Sequence, residues 1–173
     1  MSALNAFAES LPDAARDLRI NVGSVMQGGP LSPTQRWGIA VASAIAARCP
    51  ALRDATIADA TAELGEAAPA VIDDAKAAAA LMAMNNVFYR FRHFMGKESY
   101  EARPARLRMQ RLVKPLGSRV DFELTCLAVS AINGCEACVK AHEKVVLEGG
   151  LTEDHVFDAV RIAAVMHGAG TNL

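Results

Sequence analysis

Apolar residues along this chain recur at helical intervals, and the strict alternation expected of strands is almost absent. After the break at Gly28 to Pro30, Ser32 is placed to cap a helix, Pro33 suits its first position, and Gln35 completes a capping box. Apolar positions then continue to about Ala47, and Pro50 reads as the end of that element. Similar patterns predict helices over about 51–63, 68–94, 119–133, 135–147 and 153–166. Gly65, Gly96, Gly134 and the Gly149–Gly150 pair punctuate them, Ser118 with Asp121 forms a capping pair, and Thr152 caps the last. The expectation is an all-α fold, a single domain over 1–173.

Two stretches of this pattern look alike. WGIAVASAIAARCPAL aligns with LTCLAVSAINGCEAC through ASAI at Ala42–Ile45 and VSAI at Val129–Ile132. The expectation is an internal pseudo-repeat, with a first unit over about 32–95 and a second over about 118–170. In that register Cys135 stands opposite Arg48, Cys138 opposite Ala51 and His142 opposite Ala55, so only the second unit carries chemistry.

Composition narrows the classes of function. A chain of 173 residues buries enough surface to fold without a disulfide or metal staple. It is 52% hydrophobic and 21% charged with a net charge of -1, which gives no general attraction to nucleic acid or an anionic membrane. The start, MSALNAFAESLPDAARDLRI, has acidic residues where a signal peptide has basic ones. Its most apolar tracts, Trp37–Ala47 and Ala77–Met84, fall short of the about 20 residues a membrane span needs. A cytoplasmic protein is expected, with no membrane and no nucleic-acid partner. In the segment from Lys97 to Arg119, Arg103, Arg106, Arg108, Arg111, Lys114 and Arg119 gather among Pro104, Pro115 and Gly117. This segment reads as a connector with a solvated basic face, a docking patch for an acidic partner being the alternative.

The reactive residues concentrate in INGCEACVKAHEKV, residues 132–145. With Gly134 as a break, Cys135 begins a helix, where unpaired N–H groups and the macrodipole favour a thiolate. Cys138 and His142 follow at i+3 and i+7, on the same face. His142 is one turn from Cys138, within reach of its proton directly or through a water. An antiparallel hairpin about Gly134 would set Glu123 roughly 16 Å and His142 roughly 12 Å from the turn, so Glu123 is the candidate to orient the imidazole. Each residue also has a bland explanation: Glu123 as a helix-dipole partner, His142 as a surface or core histidine, the two cysteines as chance spacing. A reducing cytosol disfavours a static disulfide and leaves redox chemistry or zinc. Zinc would take Cys135, Cys138 and His142, with Glu123 or Cys126 as the fourth ligand. Cys49 and Cys126 read as small buried hydrophobes, and His93, His155 and His167 have no partner at ligand spacing.

The spacing Glu123-x11-Cys135-x2-Cys138-x3-His142 resembles the motif of the alkyl hydroperoxide reductase D (AhpD) family, within the carboxymuconolactone decarboxylase-like superfamily. The likeness extends through QRWGIAVASA, MNNVFYRFR, FELTCLAVSAINGC and AHE. It implies an all-α repeated helical unit, a homotrimer and a thiol-dependent, lipoyl-dependent peroxidase and reductase. It also implies no bound cofactor: dihydrolipoamide, on the lipoylated acyltransferase of a 2-oxoacid dehydrogenase complex served by lipoamide dehydrogenase, supplies electrons, and an AhpC-type peroxiredoxin receives them. By position, Cys138 would form the sulfenic acid. Cys135 would resolve it as disulfide partner and proton donor, and would form the mixed disulfide with the peroxiredoxin. Glu123 and His142 would be the proton relay. Some relatives carry a histidine just before the second cysteine; here Ala137 stands there, preceded by Glu136. Two rivals remain: a carboxymuconolactone decarboxylase-type enzyme on the same fold, and a zinc-stabilised helical interaction module.

Overall fold

In the computed structural model, which describes residues 1–171, the helical pattern becomes ten α-helical segments, with no strand among the described residues. Asn172 and Leu173, the end of the expected domain, lie outside the described residues. The segments are α1 (Ala3–Glu9), α2 (Arg16–Val25), α3 (Pro33–Ala46), α4 (Pro50–Leu64), α5 (Ala68–Met95), α6 (Glu98–Glu101), α7 (Gln110–Val113), α8 (Arg119–Ile132), α9 (Glu136–Glu148) and α10 (Glu153–Ala169).

Helices α3 and α8 form the centre. Each is buried almost all round, as their near-continuous apolar sequences require, and they pack on each other with α10 against both. One core cluster gathers Leu4, Val22, Ile39, Leu124, Ile162 and Met166 between these helices and the N-terminal pair. A second places Val41, Ala78, Met82, Phe122 and Val129 where α5 crosses α3 and α8. Small side chains on that side, Ala75, Ala78 and Ala79, let the long α5 approach closely.

Local signals set most boundaries. Ser32 and Gln35 make the expected reciprocal cap, Ser118 accepts from the Asp121 N–H, and Gly96 ends α5 in the left-handed region. Thr152 caps α10 together with His155, whose ring accepts from the Thr152 N–H. Pro50 differs from expectation: α3 has already ended at Ala46, and Pro50 instead opens α4, because proline's fixed φ suits a first turn. Helices α1 and α2 had no counterpart among the expected elements. Seven residues are too few for a helix to stand alone, and α1 is held by Asp59 of α4, whose carboxylate accepts from the N–H groups of Ala3 (2.8 Å) and Leu4 (2.9 Å).

The two look-alike segments share their local geometry in a register one residue from the string match. Helices α3 and α8 each have 14 residues and a serine cap. Each is followed by a left-handed residue, Arg48 (φ 59°) or Gly134 (φ 65°), and then by a cysteine that N-caps the next helix. By these markers Cys49, not Arg48, is the counterpart of Cys135, and Leu52 and Thr56 are those of Cys138 and His142. Cys49 is half-buried rather than fully buried.

The basic connector is partly built into the fold. Arg111 pairs with Asp73 and, through Nε at 3.0 Å, with Asp74, so it belongs to no free basic face. Asp74 also accepts from the N–H groups of Leu116 (3.0 Å) and Gly117 (2.8 Å), which fastens the chain just before α8.

Candidate active site

Gly134 is the pivot. Its φ of 65° is open to glycine without strain, and it turns the chain so that α9 runs back along α8. Cys135 thereby becomes the N-cap of α9, and Cys138 falls in its first turn, among N–H groups that have no helical acceptor. The two sulfurs are paired at disulfide distance, with Cα atoms 5.3 Å apart. Both residues are buried, Cys135 at 1% and Cys138 at 6% exposure, so Cys138 is the more accessible.

The hairpin brings Glu123 and His142 together from positions 19 apart in the chain, with Glu123 Oε2 2.5 Å from His142 Nδ1. Their side chains are only 8% and 12% exposed, so the contact is shielded from water. The helix-dipole account of Glu123 therefore does not describe its principal partner. On its other side the ring's Nε2 lies 3.3 Å from the sulfur of Met82, on α5. Neither ring nitrogen is hydrogen-bonded to a cysteine sulfur in this state. Cys138 and His142 nonetheless line one cavity of about 220 Å³, together with Asn85 and Tyr89 of α5 and with Met109 and Leu112 from the connector. Its wall is mostly apolar, which suits a ligand with an alkyl portion.

Three further features set the electrostatics. Burial pushes the Cys126 thiol well above its ordinary value, with the charges of Glu123 and Asp74 adding to the effect, so that thiol stays neutral and inert. Glu136, between the paired cysteines, is exposed and hydrogen-bonds to Lys140 at 2.5 Å, which, with Lys140's charge and that of nearby His93, holds its carboxyl below the usual range. Its negative charge is thus paired with that of Lys140 at the solvent-exposed head of α9. No group of three or more His, Cys, Asp or Glu at metal-binding geometry occurs among the described residues.

The motif residues found in the sequence thus meet in one place. Sequence reasoning missed Met82, Asn86 and Ser130, a buried polar group behind the imidazole, and the cavity residues Tyr89, Met109 and Leu112. Met82 sits at a regular core position of a helix, where nothing in the local pattern separates a packing methionine from one with a polar neighbour. Larger concavities elsewhere, such as one of about 670 Å³ edged by Arg48, Arg53, Lys76 and Arg90, contain none of the motif side chains.

Comparison with known proteins agrees with this arrangement. The carboxymuconolactone decarboxylase family model matches residues 99–171, which include the whole α8–α9 hairpin. Alkyl hydroperoxide reductase AhpD from Anaeromyxobacter dehalogenans strain 2CP-1 is 62% identical over all 173 residues, which align with 91% of that protein. The AhpD of Solibacter usitatus is 49% identical over 95% of this chain and 92% of its own length. That of Rhodospirillum centenum is 46% identical over 99% of this chain and 90% of its own. With likeness of this extent running through both halves of the fold, the chain belongs to the alkyl hydroperoxide reductase AhpD family, within the carboxymuconolactone decarboxylase-like superfamily.

Proposed function

We propose that the protein is a thiol-dependent antioxidant oxidoreductase that cycles Cys135 and Cys138 between dithiol and disulfide. The observation that carries this is the pairing of the two sulfurs at the head of α9, beside a cavity also lined by an imidazole that is held by a buried carboxylate. In the forward step the Cys138 thiolate attacks the terminal oxygen of a hydroperoxide. A proton goes to the departing alkoxide, which leaves as an alcohol, and Cys138 becomes a sulfenic acid. The Cys135 sulfur then attacks Cys138 Sγ; its own proton and the departing hydroxide form water, and the disulfide closes.

Reduction is assigned to dihydrolipoamide on a lipoylated acyltransferase, kept reduced by lipoamide dehydrogenase. One donor thiolate attacks the disulfide and expels a protein thiolate; the second donor sulfur closes the lipoyl ring and frees the other. Both protein sulfurs end as thiols, and the donor loses two electrons and two protons. The same dithiol can instead pass its electrons to an AhpC-type peroxiredoxin through a mixed disulfide at Cys135. Glu123 and His142 relay the proton. Because His142 hydrogen-bonds to neither sulfur in the disulfide state, the relay runs through a water or a small ring movement.

A homotrimer is part of the proposal. Val87, Phe91 and Phe94, at i, i+4 and i+7 of α5, expose an apolar stripe that a second copy would cover, and light scattering tests the mass. The functional test is a coupled assay with lipoamide, lipoamide dehydrogenase, NADH and an organic hydroperoxide, following NADH loss. Cys138→Ser should abolish turnover, and undiminished turnover in that variant would remove the proposal.

A further inference from the structure

Met82 is fully buried, yet three polar groups converge on its sulfur: His142 Nε2 at 3.3 Å, Ser130 Oγ at 3.3 Å and Asn86 Nδ2 at 3.8 Å. A thioether has lone pairs and no hydrogen to donate, so it can only accept. The surrounding bonds agree on direction. Asn133 donates to Asn86 Oδ1 (2.9 Å), Asn86 donates to Ser130 Oγ (2.9 Å), and the Ser130 hydroxyl has its own hydrogen left for Met82. A line of donors thus ends at one sulfur, approached from the other side by the imidazole.

The remaining choice is the state of His142. Nδ1 faces a carboxylate oxygen at 2.5 Å, a contact that needs one proton held between the two atoms, and Nε2 faces a group that only accepts. A bare Nε2 lone pair set against the sulfur lone pairs would be repulsive, whereas an N–H there makes the contact favourable. A leucine at 82 would fill the same space and leave that N–H buried without a partner.

We infer that Met82 is a positioning residue whose thioether accepts a hydrogen bond from His142 Nε2–H and keeps a proton on that nitrogen while the disulfide is closed. The weakness of sulfur as an acceptor is what makes the arrangement useful. A carboxylate or amide in its place would hold the proton more firmly, while a thioether yields it to a charged acceptor. Once the disulfide is reduced, a Cys138 thiolate in the shared cavity is such an acceptor. The inference rests on the proposed role of His142 as the proton relay.

The test uses the oxidised full-length protein labelled with 15N-histidine, in which long-range proton–nitrogen correlation separates protonated from bare ring nitrogens. In the wild type, Nε2 of His142 should give a protonated-type signal. In Met82→Leu at the same pH the signal should move toward the bare type, and disulfide reduction by dithiothreitol should slow several-fold. Met82→Gln, which returns an oxygen acceptor, should restore the signal and part of the rate. A bare Nε2 in the wild type overturns the inference, and so do ring signals or reduction rates that are the same in wild type and Met82→Leu. If the leucine variant does not fold, the wild-type spectrum alone decides. The spectrum needs no peroxide, so failure of the peroxidase assay with the expected ring signals would sink the proposed function and leave the role of Met82 standing.

Discussion

Glu123→Gln separates charge from shape at the site. Glu123 meets His142 through one oxygen at 2.5 Å, with both side chains at least 88% buried, so solvent screens the pair weakly. Glutamine fits the same space and keeps a neutral hydrogen bond. A hydrogen bond to a charged group contributes about 1.5–3 kcal/mol net and a neutral one about 1 kcal/mol, so the substitution removes roughly 0.5–2 kcal/mol of support for a positively charged ring. If the ring charges in the rate-limiting thiol step, that difference slows the reaction about 2–30-fold. Stopped-flow measurement of disulfide reduction across a pH series reads it, and thermal unfolding serves as the control, since a loss of 1 kcal/mol moves the melting temperature by about 2–4 °C in a chain of this size. His142→Phe should slow the same step at least as much. Because the carboxylate acts through the imidazole, adding Glu123→Gln to His142→Phe should cost nothing more. Full additivity of the two effects, or pH–rate profiles unchanged in both single variants, would refute the relay.

Three other outcomes follow from the structure. The raised Cys126 thiol keeps its proton in the folded state while the unfolded thiol ionises near its ordinary value of 9.0, so its contribution to stability is intact below that pH and declines above it, by up to about 1.4 kcal/mol per pH unit. Denaturant titrations should show a shallower alkaline decline in Cys126→Ala, and identical slopes would count against it. Gly134→Ala meets no atom within 4 Å, so its cost is backbone strain alone, about 1–2 kcal/mol by chemical unfolding. A neutral result there would show that the α8–α9 turn does not need its left-handed residue. Asp59→Ala leaves the N–H groups of Ala3 and Leu4 without their acceptor and should cost about 0.5–2 kcal/mol, with faster hydrogen exchange confined to α1; uniform exchange changes across α3 and α8 would contradict the local assignment.

Much of this protein was legible along the chain because its signals are local. Capping at Ser32 and Ser118, the breaks at Gly96 and Gly134, and the i, i+3, i+7 spacing of Cys135, Cys138 and His142 each depend on a few neighbouring residues, and the structure places them as their chemistry demands. Glu123 was within reach because a hairpin has simple geometry: two helices folded back at a known residue bring comparable distances from the turn together.

What depended on tertiary structure involves partners from remote segments. Helix α1 is held by a carboxylate 55 or more positions away, so its own seven residues carried too little signal. The connector looked like a solvated basic strip until Asp73 and Asp74 claimed Arg111 and the cavity took Met109 and Leu112. Met82 was one apolar residue in an alanine-rich helix, and only the crossing of α5 over the hairpin set its sulfur against His142, 60 positions away. The sequence by itself determined helices α3 to α5 and α8 to α10, most of their caps and the order of the reactive groups, because those follow from backbone geometry and near neighbours. The tertiary structure decided which nitrogen of His142 faces which partner and what encloses Cys138, because side chains from distant helices meet only when the core closes.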